Sequence, residues 1–417
     1  MKKQNRTKVI CLLIMLILLT GCWDKRAIDR KAHITVLGLD KSEEENRIVV
    51  TYLITNPEFG TREGGATNEP VREVISFTVD DFISAKDIAN TILSREVTYD
   101  ILSAIVVSED FAKDENFIRL IYDTVKEAEI RGNTPLIVSK EAASKFLTDT
   151  RPLVETREHR YFDLIIDLGK QSDIIPNDSI LLDFFRTVDS NAGLFLATFG
   201  TTELKTGDEQ NPNGADFIAG DFHVEGEINR TQFAGAAVFK EGKMIGELTG
   251  RETRVATFLN NGAETSNLYT TFRDPFNKEY KIATRLTRKR DNQIKMDLKS
   301  NPPTIKLKVF PIIDVLTNHS MVDYYHDKEK REVLKKSIVD EETKRLKRVV
   351  KKTQEEFKGD PFGWSLIARR HFRTISEYEA FDWMKTYPNM KVDITVDVEF
   401  GEFGRQSKLP RLKEVRD

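Results

Sequence analysis

Residues 103–139 read SAIVVSEDFAKDENFIRLIYDTVKEAEIRGNTPLIVS. Ser103–Ser108 and Pro135–Ser139 are short apolar runs free of charge, the pattern of strands buried on both faces. Between them Phe117, Leu120, Ile121, Val125 and Ala128 recur at helical spacing, and Gly132 ends the segment. Strand, crossover helix and strand make a β-α-β unit, which places the first half of the chain in a mixed α/β fold.

Outward from this unit the pattern continues on both sides. Ile34–Leu39 and Arg47–Thr55 read as strands joined by the acidic turn KSEEEN, and Val71–Val79 as a third with Ile75, Phe77 and Val79 on one face. Asp80 or Asp81 caps a helix running to about Arg95, with Phe82, Ala85, Ile88, Ala89, Ile92 and Leu93 as its buried stripe. Downstream, Ser139 is placed to cap a helix through Leu147, Ser179–Val188 reads as another helix, and the strand Leu194–Phe199 closes the first domain.

From Thr201 to Asp221 periodicity is lost and Gly, Asp, Asn and Pro accumulate, marking a loop or linker. Two strands follow, Phe233–Phe239 and Met244–Leu248, around a Lys-Glu-Gly-Lys turn. Thr249-Gly-Arg-Glu252 has capping-box spacing and starts a helix into Val255, Phe258 and Leu259. Alternation at Tyr280–Leu286, Gln293–Leu298 and Thr304–Phe310 predicts an antiparallel sheet, completed by Val392–Phe400. The longest helix runs from about Lys328 to Lys358, with Leu334, Ile338, Val339, Leu346, Val349, Val350 and Phe357 as its apolar stripe and Gly359 as its stop. Its many Lys and Arg are interleaved with acids, as in a helix laid on a sheet with its charged back in solvent; an anionic membrane or nucleic-acid face is the competing reading.

The N-terminus has a separate logic. Lys2, Lys3, Arg6 and Lys8 precede an apolar run at Val9–Leu19, too short to span a bilayer of about 30 Å. Gly21 and Cys22 follow in the arrangement of a bacterial lipobox, so cleavage before Cys22 and diacylglycerol and N-acyl modification of its thiol and amine are expected, with no other cofactor. Residues 1–21 carry four positive and no negative charges, so their loss takes the formal charge from -3 to -7. An acidic balance argues against nucleic acid as partner. Cys11 leaves with the signal and Cys22 carries lipid, so the mature chain has no thiol pair to oxidise.

The chemistry-bearing patterns are missing from the chain. There is no HExxH, CxxC, GxSxG, GxxxxGK[ST] or GxGxxG, and the nearest histidine pair, His319 and His326, lacks a third ligand. No catalytic residue and no metal site are expected, and the chain is read as a non-enzyme.

The run GCWDKRAIDRKAHITVLGLD, residues 21–40, resembles the opening of the C subunits of GerA-type spore germination nutrient receptors, the Ger(x)C lipoproteins. LSREVTYDILSAIVVSEDFA (93–112), AEIRGNTPLIVSK (128–140), GAAVFKEGKMIGELTGRET (235–253), FKGDPFGW (357–364) and the Trp383 segment are similar to the family's blocks in the same order. Matching signature positions are Trp23, Asp24, Arg26, Arg131, Asn133, Gly246, Glu252 and Trp383. Ala27 and Asp29 depart from the usual Glu and Asn, and Asp100 lies near a position where His is common.

The resemblance implies a non-enzymatic, lipid-anchored subunit on the outer face of the spore inner membrane. It would work with a multi-pass A subunit and a transporter-like B subunit in the response to small nutrients. It also implies an α+β, multi-domain ectodomain. The divisions expected are a signal at 1–21, an N-terminal α/β domain at 22–199, a linker at 200–225, a middle segment at 226–290, a C-terminal sheet with one long helix at 291–402, and a loose basic tail at 403–417. The alternative from another class is a lipid-anchored solute-binding protein of a transporter, which requires parallel strands alternating with helices in both halves. An anchored envelope hydrolase is a third class.

Overall fold

The computed structural model describes residues 31–55, 72–155, 157–190, 192–205 and 216–404. Gly21, Cys22, Trp23, Asp24 and Arg26, with the signal and most of the basic tail, lie outside the described residues.

Nine strands share one sheet: β1 (Lys31–Lys41), β2 (Ile48–Thr55), β3 (Arg72–Val79), β4 (Glu96–Thr98), β5 (Ala104–Ser108), β6 (Leu136–Ser139), β7 (Phe195–Thr201), β8 (Gln232–Lys240) and β9 (Lys243–Leu248). The order is β3-β2-β1-β5-β6-β7-β8-β9, with β4 beside β1. At its centre β1, β5, β6 and β7 run parallel, and the outer strands are antiparallel. The β-α-β unit is the middle of this sheet, with Ile105 opposite Leu136. β5 and β6 are buried at every position, as charge-free runs require.

Details of the first half differ from the sequence reading. The connector between β5 and β6 is not one helix but two short ones, Glu109–Ala112 and Phe117–Ile121, and a 3₁₀ turn at Tyr122–Val125. The Asp114 carboxylate accepts from the Asn116 amide, an Asx turn that breaks the first helix. Thr124 is buried while Val125 is exposed. Helix α1 (Phe82–Ile92) is capped by Asp81 as expected, but it buries only Phe82, Ala85 and Ala89. It lies over the outer strands, where small side chains allow close approach, so Ile88 and Ile92 are left facing water.

Helix α2 (Ala143–Asp149) is not capped by Ser139. Its first amides, Ala143 and Ser144, donate to the Asp40 carboxylate at 2.6 and 2.9 Å, a cap supplied from the end of β1. Helix α3 (Glu158–Gln171) went unassigned from sequence, because exposed Leu164 and Leu168 blur the stripe made by Phe162 and Ile166. Helix α4 (Leu181–Ser190) lies where expected.

The strand expected to close the first sheet is not its last. β8 and β9 follow the Gly-, Asn- and Pro-rich loop; β8 hydrogen-bonds onto β7 and β9 onto β8. Helix α5 (Gly250–Leu259) then starts at a complete Thr249/Glu252 capping box. The remaining strands form two sheets rather than one. β10 (Leu268–Arg273), β11 (Lys281–Arg288), β14 (Pro311–Asn318) and β16 (Glu399–Phe400) make one; β12 (Gln293–Asp297), β13 (Thr304–Val309) and β15 (Lys391–Val396) make the other. The hairpins are antiparallel, but β15 pairs with β13 and β16 with β14 in parallel, because the long helix carries the chain back before they form.

That helix, α6 (Lys328–Lys352), continues as a π turn to Phe357. Leu334, Ile338, Leu346, Val349, Val350 and Phe357 are buried as expected. So are Glu342 and Arg345, which the solvated-back reading placed outside. Arg345 is held by Glu342 at 2.7 Å, by Glu341, and by the Thr271 carbonyl at 2.9 Å. Buried charge is tolerated there because every partner is supplied.

One apolar cluster joins the halves: Leu194, Ala236, Val238 and Leu248 of the large sheet pack with Ile338, Leu346, Phe357 and Trp364. Among the described residues no helix is long and apolar enough to cross a membrane.

Candidate functional site

The residues that organise this chain converge where the C-terminal turn of α6 meets β7, β8 and β9. Lys352 donates to the Glu252 carboxylate at 2.7 Å and to the Glu247 carbonyl at 3.0 Å, tying α6 to the capping box of α5. A Cβ on Gly246 would stand 2.7 Å from the Phe357 ring, so only glycine lets β9 approach α6 this closely. Lys240 reaches the Lys358 carbonyl at 3.0 Å.

The chain then leaves the helix with Lys358, not Gly359, in the left-handed conformation. Gly359 has a different duty. A Cβ there would lie 2.6 Å from Leu194, and the next residue fastens the same contact, since the Leu194 amide donates to the Asp360 carbonyl at 2.9 Å.

Asp360 is the hub of this seam. Its side chain is buried and accepts from the Phe362 and Ser365 amides at 2.7 and 2.9 Å, closing the turn that starts the Trp364–Arg369 helix. Burial pushes its pKa up to about 6, although these amides favour the charged form. Around it Phe362 leans on Trp364 with ring centroids 4.6 Å apart, and Trp383 stacks on Tyr387 at 5.9 Å. The Tyr387 hydroxyl pairs with Thr353 at 2.7 Å, returning the network to α6. Outside the seam a cleft of about 410 Å³ opens between α4 and α5, lined by Asp183, Arg186, Asn260, Asp360 and Arg369.

Three of the residues singled out from sequence therefore meet here: Gly246, Glu252 and Trp383. Arg131 and Asn133 do not; both are exposed in the turn before β6, where the Gly132 carbonyl accepts from Leu182 at 2.8 Å. Sequence reasoning passed over Asp360, Lys352 and Leu194 as individual residues. The signal for Asp360 was present, since Gly-Asp-Pro at 359–361 is a turn signature inside FKGDPFGW. Asp100, the departure noted above, accepts from His33 Nδ1 at 2.7 Å, a pairing of histidine and carboxylate across β1 and the β4–β5 turn.

At the carboxyl ends of the parallel strands, where open α/β sheets usually hold ligands, a cleft of about 410 Å³ lies past β1 and β5, lined by Lys41, Glu44, Arg47, Phe111, Asp114 and Asn116, beside the hydrogen-bonded turns that follow β6 and β7. Asp40 caps α2 there, and Glu141 takes Thr201 and Thr202 as donors at 2.6 Å.

A mixed α+β protein of two units locked by a buried polar and aromatic seam is the class this architecture defines. Residues 24–200 match the family described as Spore germination protein N-terminal domain, and residues 234–404 the family described as Spore germination B3/GerAC like, C-terminal. The chain belongs to the GerAC-like family of spore germination proteins, and its role is in germination. It is 24% identical to spore germination protein YndF of Bacillus subtilis (strain 168) over 97% of this chain and 98% of that protein. With spore germination protein KC of the same organism it is 25% identical over 33% of this chain and 34% of that protein. The fold is similar to the crystal structure of the GerBC protein, with a TM-score of 0.51 at 16% identity, covering 87% of this chain and 96% of that one.

Proposed function

We propose that this chain is a lipid-anchored, non-enzymatic subunit of a spore germination nutrient receptor, held by Cys22 on the outer surface of the spore inner membrane beside a multi-pass A subunit and a transporter-like B subunit. The observation that carries this reading is the use made of the signature residues. Gly246 and Glu252 fasten β9 and α5 to α6, and Trp383 packs against Tyr387 on the far side of the same seam, an arrangement that suits a part passing on a conformational signal. The second half, two small mixed sheets with one long helix, lacks the parallel sheet flanked by helices that a second lobe would need, which weighs against the solute-binding alternative.

Co-purification from detergent-solubilised spore membranes is the test. Two multi-pass proteins are expected with the wild-type chain, and deleting either should abolish the nutrient response while leaving this chain folded. Recovery of the chain alone, with the response intact after those deletions, would return the solute-binding reading to first place.

Cys22→Ser supplies a second check. It is expected to abolish metabolic labelling with palmitate, to move the protein into the soluble fraction and to lower the germination response. The melting temperature of the ectodomain should not change, because two or three acyl chains act on partition, at roughly 0.8 kcal/mol per buried methylene, and not on the core. An unlabelled wild type would sink the anchor.

A further inference from the structure

The two ends of the large sheet differ in character. Lys31, where β1 begins, is nine residues from Cys22, so the chain between them spans at most about 30 Å whatever its path. The residues beside that end can be traced through contacts. Thr35 pairs with Thr55 at 2.7 Å, Thr55 lies opposite Arg72, and Arg72 donates to the Thr150 carbonyl and to Glu158. On the other side the Ser103 hydroxyl donates to the His159 carbonyl at 3.3 Å. The segment between α2 and α3 therefore sits at the end of the sheet from which the N-terminal chain emerges.

This segment displays apolar side chains to solvent. Val154 is fully exposed and Leu153 is 59% exposed, and Ile101 and Ile92 are exposed at the turns beside it. Arg151, Arg157 and Arg160 flank the tip, and Arg131 projects from the turn before β6 at the same end. Glu155 is shared by Arg157 and Arg160, and Asp100 is held by His33 and Lys31, so four exposed arginines gather about the tip, while Glu73, Glu96, Asp149 and Asp163 are exposed acids elsewhere on this end. The opposite end is acidic. There β1 ends in the turn with Glu43, Glu44 and Glu45, next to Asp110, Asp114 and Glu115 after β5 and Asp80 before α1. Their basic neighbours Lys41, Arg47 and Lys113 are already paired to Asp114, Glu44 and Glu109.

We propose that the end of the sheet bearing Leu153 and Val154 is a docking surface for an anionic phospholipid bilayer. Leu153 and Val154 enter the interface, and Arg131, Arg151, Arg157 and Arg160 meet lipid phosphates, while the acidic end points away. The short tether fixes which end faces the bilayer, and the arginines around Leu153 and Val154 supply the attraction to anionic lipid. This orientation rests on the Cys22 anchor proposed above.

The test uses the full lipidated chain on vesicles of phosphatidylglycerol and phosphatidylcholine, carrying Val154→Cys or Glu43→Cys labelled with an environment-sensitive dye. Acylated Cys22 leaves the new thiol as the only labelling site. A blue-shifted emission at 154, quenched by nitroxide-bearing lipid, with a water-like label at 43, is expected. Adding Leu153→Asp should lower the quenching several-fold without moving the melting temperature, and vesicles of phosphatidylcholine alone should do the same. Water-like emission at 154 from protein that stays on the vesicles overturns the docking surface and leaves the anchor standing. Protein that washes off the vesicles overturns both. A shift seen only when extracted spore-membrane proteins are present assigns this face to a protein neighbour and overturns lipid docking.

Discussion

Ile338→Asp unfolds the C-terminal half, whereas Lys336→Glu and Arg348→Glu leave its stability within about 0.5 kcal/mol of wild type. Ile338 is 0% exposed in the middle of the α6 stripe, while Lys336 and Arg348 lie on its outer face. Exchanging a buried side chain for a carboxylate removes roughly 3 kcal/mol of apolar burial and adds the several-kcal/mol cost of an unpaired buried charge. That sum is a large part of the 5–15 kcal/mol that holds a typical domain together. Trp364 and Trp383 are both buried in the affected core, so a red-shifted tryptophan emission and the loss of a cooperative urea transition report it directly. The nearby Arg345 does not rescue such a carboxylate, because it is already committed to Glu341 and Glu342. A folded Ile338→Asp protein with native emission would mean that α6 does not pack on this face.

Asp360→Ala loosens the seam. It removes the acceptor for the buried Phe362 and Ser365 amides and costs on the order of 2–4 kcal/mol, measured as a fall in urea midpoint. The conservative change separates charge from hydrogen bonding. Because burial raises Asp360 to about 6 in the folded chain, above the ordinary carboxylate near 3.9, the native state holds this proton while the unfolded state has released it. The stability contributed by the group is therefore fully present below about pH 4 and is lost as pH rises through 6. Relative to Asp360→Asn, wild type should lose about 3 kcal/mol between pH 4 and pH 7.5, at roughly 1.4 kcal/mol per pKa unit. A pH-independent difference between the two proteins would mean that the amides offset burial and Asp360 keeps an ordinary carboxylate pKa.

The two experiments bear on function as well as stability. If the chain passes a conformational signal between its halves, a loosened seam should weaken the germination response at temperatures where the protein is still folded. A defect that appears only on unfolding would reduce the seam to a stability element.

Much of this protein was legible in the chain itself. Local signals carried it: unbroken apolar runs at 103–108 and 135–139 became the central parallel strands, Thr249 and Glu252 formed their capping box, and the stripe from Leu334 to Phe357 faces the core. Each of these depends on spacing within a few residues, which a sequence displays directly. Where the reading failed, the deciding partner lay far along the chain. Asp40 caps a helix more than 100 residues away, β8 and β9 extend the sheet past Phe199, and Glu342 occupies a core position because Arg345, itself held by the carbonyl of Thr271, pairs its charge. The seam belongs to this second kind. Gly246, Glu252, Leu194, Asp360 and Trp383 have no local pattern in common, and only the packing of α6 across β7 to β9 brings them together, because hydrogen bonds and close contacts are satisfied in space and not along the chain.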